Sequence, residues 1–159
     1  MINEIENIYI FTENFTDLFI STGLGKTKFA NQVGLKHSQI EHYLNGTIPT
    51  TNSVVKICDY FNCSIDYIVG LSNMFCYPNL TKGFSRNSFY PEYSNLLKAN
   101  HTNHFKLAKN NLVTESSLSL WKQGGLPKFE VLIAIAYELS GSIDRMLGRI
   151  PSWQIKGNI

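Results

Sequence analysis

Apolar residues in the first half of the chain recur at three- and four-residue intervals, and each run ends at a residue that breaks helices. Phe15, Leu18 and Phe19 make the first stripe, with Thr12 before it as an N-cap, Glu13 in the first turn and Gly23 beyond its end. Phe29, Ala30 and Val33 make the second, closed by Gly34, which accepts positive φ at a helix C-terminus. Ile40, Tyr43 and Leu44 make the third, starting near His37 and closed by Asn45-Gly46-Thr47-Ile48-Pro49. Val54, Ile57, Cys58 and Phe61 follow an opening Thr50 or Thr51, and a short fifth stripe of Ile65, Ile68 and Val69 lies between the cap Ser64 and Gly70. The pattern predicts a small domain of five short helices over residues 13–72, with a core near the lower limit for independent stability. Upstream, Ile2, Ile5, Ile8 and Ile10 fit either a helical turn or a strand-like segment, and residues 1–12 are read as an N-terminal arm.

The pattern occurs twice. Shifted by 78 residues, positions 15–72 fall on 93–150 without a gap. Eleven of these 58 positions are identical, among them Lys28/Lys106, Gly46/Gly124, Pro49/Pro127, Asp66/Asp144 and Gly70/Gly148. That identity is modest, and the matching apolar positions carry more weight: Phe29/Leu107, Leu35/Val113, Ile40/Leu118, Tyr43/Trp121, Val54/Leu132 and Phe61/Leu139. The same core built in the same register predicts a second domain over residues 91–150, followed by a C-terminal tail over 151–159. Between the copies, residues 73–90 hold Pro78 and Gly83 with Phe75, Tyr77, Phe84, Phe89 and Tyr90. A linker with five aromatics is too apolar for a solvated tether and is expected to pack on one or both domains.

Composition narrows the class. With 43% apolar and 16% charged residues the chain buries a core rather than staying disordered. No apolar run reaches the roughly 18 residues of a membrane span, and the N-terminus lacks the pattern of a signal peptide, so no membrane partner and a cytoplasmic location are expected. Cys58, Cys63 and Cys76 form neither an even set nor a CxxC pair, which argues against a disulfide framework and a zinc site. His101 and His104 lie three apart but have no acidic or cysteine neighbour in sequence, so no metal is expected. No phosphate loop, nucleophile elbow or HExxH motif occurs; the expectation is a protein that is not an enzyme and needs no cofactor. Net charge is +2, but residues 93–150 carry seven Lys or Arg against four acids, so the second half is the basic one.

Residues 24–49, followed by the run from Val54 through Asp59-Tyr60-Phe61-Asn62-Cys63-Ser64-Ile65-Asp66 to Gly70, resemble the Cro/phage-repressor helix-turn-helix family, also called the xenobiotic-response-element type. The second copy is similar through Leu107-Ala108, Thr114–Ser119, Trp121-Lys122, Gly124–Pro127, Ser142-Ile143-Asp144 and Leu147-Gly148. The resemblance implies an all-α fold of two tandem five-helix lambda-repressor-like helix-turn-helix domains. The second copy departs from the pattern at the inter-helix turn, where Asn111-Leu112 replaces Val33-Gly34; Asn tolerates left-handed geometry, so the turn is expected to shift by one residue.

In this family the third helix enters the major groove and presents its N-terminal side chains to base edges. Carried onto the first copy, the face is Lys36, His37, Ser38, Gln39, Glu41 and His42, with Lys26, Lys28 and Asn45 toward phosphates. The second copy would present Thr114, Glu115, Ser116, Ser117 and Ser119, with His104, Lys106 and Lys122 toward phosphates. Tyr43 and Trp121 are read as inward core anchors, and Leu120 as exposed.

Two functional classes follow. The resemblance implies a sequence-specific transcriptional regulator of double-stranded DNA, repressor-like, of the kind found in bacterial phages and mobile elements, acting as a pseudo-dimer or a homodimer. The near-neutral charge, the absence of Arg from both reading helices, and Glu41 and Glu115 facing the expected duplex leave an alternative: a protein-interaction module on the same scaffold, such as an antirepressor or an inhibitor of a host nuclease system.

Overall fold

The computed structural model describes residues 2–151, with side chains from Glu6 onward; Met1, residues 152–159 of the expected tail, and the side chains of Ile2 and Ile5 lie outside the described residues. Among the described residues there are helices and no strands, and the chain divides into two compact units, Met1–Tyr77 and Pro78–Ile159.

The first unit contains α1 (Ile2–Ser21), α2 (Lys26–Val33), α3 (His37–Leu44), α4 (Thr51–Phe61) and α5 (Ile65–Ile68). α1 corrects the expectation of a separate arm over residues 1–12 and of a helix start at Thr12. Thr12 lies inside the helix, its hydroxyl donating to the Ile8 carbonyl at 3.2 Å. The upstream turns have their own tertiary anchors. Phe11 is buried and stacks on Phe15 with ring centroids 5.7 Å apart. Asn7 is buried and donates to the Val69 carbonyl at 2.6 Å, and Asn14 reaches the Tyr67 and Ile68 carbonyls at 3.3 and 3.2 Å. These amides tie α1 to carbonyls in the last turn of α5 and just after it, where intrahelical donors run out.

The core beneath α1 is aromatic. Phe15 meets Phe29 of α2 at 6.1 Å and Tyr43 of α3 at 6.4 Å, and Phe29 meets Tyr60 of α4 edge-on at 5.4 Å. Ile40, Val54, Ile57 and Ile65 are fully buried around them. α4 opens on Thr50, whose hydroxyl accepts from the Ser53 N–H at 3.2 Å. Residues 73–77 belong to this unit rather than to a linker: Ser64 N–H donates to the Phe75 carbonyl at 2.6 Å and Tyr77 donates to the Asp66 carboxylate at 3.0 Å.

The second unit contains a 3-10 turn (Arg86–Ser88), α6 (Phe89–Ala99), α7 (His104–Lys109), α8 (Ser117–Lys122), α9 (Phe129–Glu138) and α10 (Ile143–Met146). α7, α9 and α10 start at His104, Phe129 and Ile143, each 78 residues after α2, α4 and α5 at Lys26, Thr51 and Ile65. Phe89, Tyr93 and Trp121 form its aromatic centre, with Tyr93 edge-on to Trp121 at 5.3 Å. Residues 78–88 are laid against the segment that follows α10: Thr81 N–H donates to the Arg149 carbonyl at 2.7 Å, Ser85 N–H to the Leu147 carbonyl at 2.8 Å, and the Arg149 guanidinium to the Gly83 carbonyl at 2.9 Å. Arg149 is fully buried and also donates to Asp144 at 2.9 Å. The same Asp on the same short helix therefore has a Tyr partner in the first unit and an Arg partner in the second.

Candidate nucleic-acid interface

In the first unit the turn between α2 and α3 is set by Gly34, at φ 81° and ψ 35°. Its N–H and that of Leu35 both return to the Ala30 carbonyl at 2.9 Å, which closes α2 and redirects the chain. Lys56 of α4 donates to the Gly34 carbonyl at 3.0 Å, bracing the turn from below. Ile40 and Tyr43 point into the core, so the other side of α3 faces solvent. The fold thus leaves Lys36, His37, Ser38 and His42 exposed along one helix, with Glu41 and Gln39 half-buried between them and Asn45 exposed at its end.

These side chains are less independent than the sequence suggested. Glu41 Oε1 accepts from Lys26 Nζ at 3.3 Å and from His37 Nε2 at 3.2 Å. The other ring nitrogen of His37 lies 2.9 Å from the Thr27 hydroxyl. A carboxylate only accepts, so Nε2 carries the proton toward Glu41 and, in the neutral ring, Nδ1 accepts from Thr27. The hydrogen bonds from His37 and then Lys26 hold the Glu41 carboxyl below its ordinary value, so it is ionised at neutral pH. Thr27 was not among the residues expected from sequence; it is a small polar residue at a helix start, and only the fold brings it to a position ten residues downstream.

Gln39 departs from its expected role as a base reader. Its Oε1 accepts the Lys36 backbone N–H at 2.9 Å, capping α3, and its Nε2 lies 3.5 Å from the Tyr43 hydroxyl. A glutamine so engaged does not present both amide atoms to a base edge. The side chains that reach solvent without such ties to the protein are those of Ser38 and His42, with Lys28, Lys36 and Asn45 around them. α2 itself opens on Gly25, which supplies no side chain to cap the first N–H groups, and the exposed Lys26 and Lys28 stand beside that end.

The second unit repeats the layout with different chemistry. Its turn uses Asn111 at φ 60°, and Leu112 N–H returns to the Leu107 carbonyl at 3.0 Å, so the left-handed residue comes one position earlier in the register than Gly34. α8 is shorter at its start: Thr114, Glu115 and Ser116 lie in the preceding turn, and the helix begins at Ser117. Ser117 and Ser119 donate back to the Thr114 and Ser116 carbonyls at 2.6 and 3.3 Å. Thr114, Glu115, Ser116, Ser119, Lys106 and Lys122 are exposed, as is Leu120 at 57%.

His104 overturns its expected place beside phosphate. It is 3% exposed, and its ring lies among Tyr93, Phe105 and Trp121. Nε2 donates to the Thr114 carbonyl at 2.9 Å, leaving Nδ1 to accept from the Tyr93 hydroxyl at 2.9 Å. Burial, helped by the charge of Tyr90, pushes the Tyr93 phenol above its ordinary value and keeps it a donor. α7 is capped by Asn103, whose side chain accepts from the Lys106 N–H at 3.0 Å. His104 packs into the core, whereas Lys26, at the matching position of the first unit, is exposed and reaches across to Glu41.

Among the described residues no group of His, Cys, Asp or Glu is arranged to hold a metal ion, and no helix is long and apolar enough to cross a membrane. Residues 23–68 match the protein-family model described as Helix-turn-helix, a span that runs from before α2 to the end of α5. The match supports the Cro-type resemblance of this segment, and with it DNA binding and transcription regulation. No curated protein and no solved structure matches the chain.

Proposed function

We propose that the chain is a sequence-specific DNA-binding transcriptional regulator whose first unit reads the duplex. The observation that carries this reading is the α2–α3 pair inside the matched segment: a glycine-set turn, an inward Ile40 and Tyr43, and an outward face of Lys36, His37, Ser38, Glu41, His42 and Asn45. α3 would lie in the major groove with Ser38 and His42 at base edges. The uncapped start of α2, with Lys26 and Lys28, would receive a backbone phosphate and set the register.

The second unit is proposed as a further helix-turn-helix of the same type on the strength of its register, with a weaker reading face. Its helix start is already occupied by Asn103, its reading helix is short, and its serine hydroxyls are turned back on the backbone. Phe105 and Leu120, 62% and 57% exposed, favour the second reading for this unit, a protein-interaction surface on a helix-turn-helix scaffold.

Selection of a randomised duplex pool on the full chain, at low and at moderate salt, tests the proposal. An enriched sequence with discrimination that survives moderate salt is expected. No enrichment, and no retarded complex at micromolar protein, would remove the regulator reading and leave the interaction module.

A further inference from the structure

We propose that Glu41 sets the specificity of the first unit by repulsion: its carboxylate, shared by Lys26 and His37 in the free protein, disfavours docking on any duplex that offers no base amino group in its place. The inference rests on the DNA-binding reading above. Glu41 is the one acid in α2 and α3, among Lys26, Lys28, His37 and His42. It is set where the two helices meet, with a single oxygen taking both Lys26 Nζ at 3.3 Å and His37 Nε2 at 3.2 Å. Half-exposed ion pairs of this kind contribute little to folding, so stability does not account for the placement.

On a duplex the two cations have a competing anion. Phosphates draw Lys26 and His37 away, and the carboxylate is left facing the groove. There it meets amino donors at cytosine and adenine edges, but only acceptors at the exposed edges of guanine and thymine. An ionised carboxylate against those acceptors is a repulsive element, and discrimination is built from such elements as much as from attractive ones. A glutamine at the same place offers both a donor and an acceptor and loses that penalty. It also releases Lys26 to phosphate from the start.

The test compares the full chain with its Glu41→Gln, Lys26→Gln and doubly substituted variants, all checked for unchanged helical content by circular dichroism. Two labelled duplexes of equal length are titrated by anisotropy: the sequence enriched by the wild-type chain, and a scramble of it. We expect Glu41→Gln to bind the scramble about tenfold more tightly while changing the enriched duplex less, so that the ratio of the two affinities falls. Because Lys26 reaches phosphate in both complexes, the slope of log affinity against log salt on the scramble should stay close to the wild-type slope for Glu41→Gln, and Lys26→Gln should make it shallower by about 0.9 in either background. A ratio within about twofold of wild type, or equal weakening on both duplexes, overturns the role of Glu41 while leaving the regulator reading intact. A wild-type chain that binds neither duplex overturns both.

Discussion

The turn between α2 and α3 gives a sharp prediction because the two units solve it differently. Gly34 sits at φ 81°, and a Cβ built there would meet nothing within 4 Å. The cost of Gly34→Ala is therefore conformational. A left-handed residue other than glycine costs roughly 1–2 kcal/mol, offset by about 0.4–1 kcal/mol from the smaller freedom of alanine in the unfolded chain. The net loss is about 1 kcal/mol, which for a unit of this size lowers Tm by about 4–8 °C. Gly70, at φ 78°, differs in one respect: a Cβ there would lie 2.9 Å from two carbons of Ile10. Gly70→Ala should cost more than Gly34→Ala, by the packing displacement that Gly34 lacks. In the second unit the left-handed residue is Asn111, at φ 60°, so Asn111→Gly should be neutral to stabilising. The units are separable by assay, since both tryptophans, Trp121 and Trp153, lie after residue 77. Tryptophan fluorescence follows the second unit, and hydrogen exchange of α3 and α4 amides follows the first. Equal losses for Gly34→Ala and Gly70→Ala, or a clear loss for Asn111→Gly, would refute the reasoning.

Three further outcomes follow from named contacts. His104→Ala should lower the thermal midpoint of the second unit through two lost buried hydrogen bonds and a cavity, by about 2–4 kcal/mol at constant temperature, while DNA affinity measured well below the transition stays within about twofold. Asn7→Ala should destabilise the first unit by about 1–2 kcal/mol in urea unfolding, whereas Tyr9→Ser, at an exposed position of the same helix, should stay within about 0.5 kcal/mol. The Glu41 carboxyl, followed by carbon NMR, should titrate below its ordinary value of 4.5, and His37→Ala should raise it more than Lys26→Ala. Its folded-state pKa is the lowered one, so its contribution to stability is present above the unfolded value and is lost as pH falls through the folded value.

Helix positions were legible where an apolar stripe and a terminator coincided, as at Phe29 to Gly34 and Ile40 to Gly46. α1 was misread because Thr12 has the chemistry of a cap. What overrides it is the burial of the upstream turns: Asn7 donates to the Val69 carbonyl just beyond α5, and Phe11 is buried in the core beside Phe15. Asn111 was readable as a turn residue from its tolerance of left-handed geometry, and the one-position shift followed. The exposed side of α3 was legible as a face but not as a set of free groups. The partners of His37 and Glu41 lie ten and fifteen residues away, on another helix. Gln39 turns to its own helix start because the Lys36 N–H there needs an acceptor. The register puts His104 at the outward position of Lys26, and its hydrogen bonds to the Tyr93 hydroxyl, which donates, and the Thr114 carbonyl, which accepts, hold it in the core.

The central claim, that the first unit's α2–α3 face reads DNA, is tested most directly by amide NMR of the full chain titrated with the duplex it enriches. Shifts should concentrate at residues 25–28 and 36–45, with the largest side-chain changes at His37 and His42 and smaller changes over residues 103–122. Shifts confined to residues 78–151, or none at saturating duplex, would contradict it.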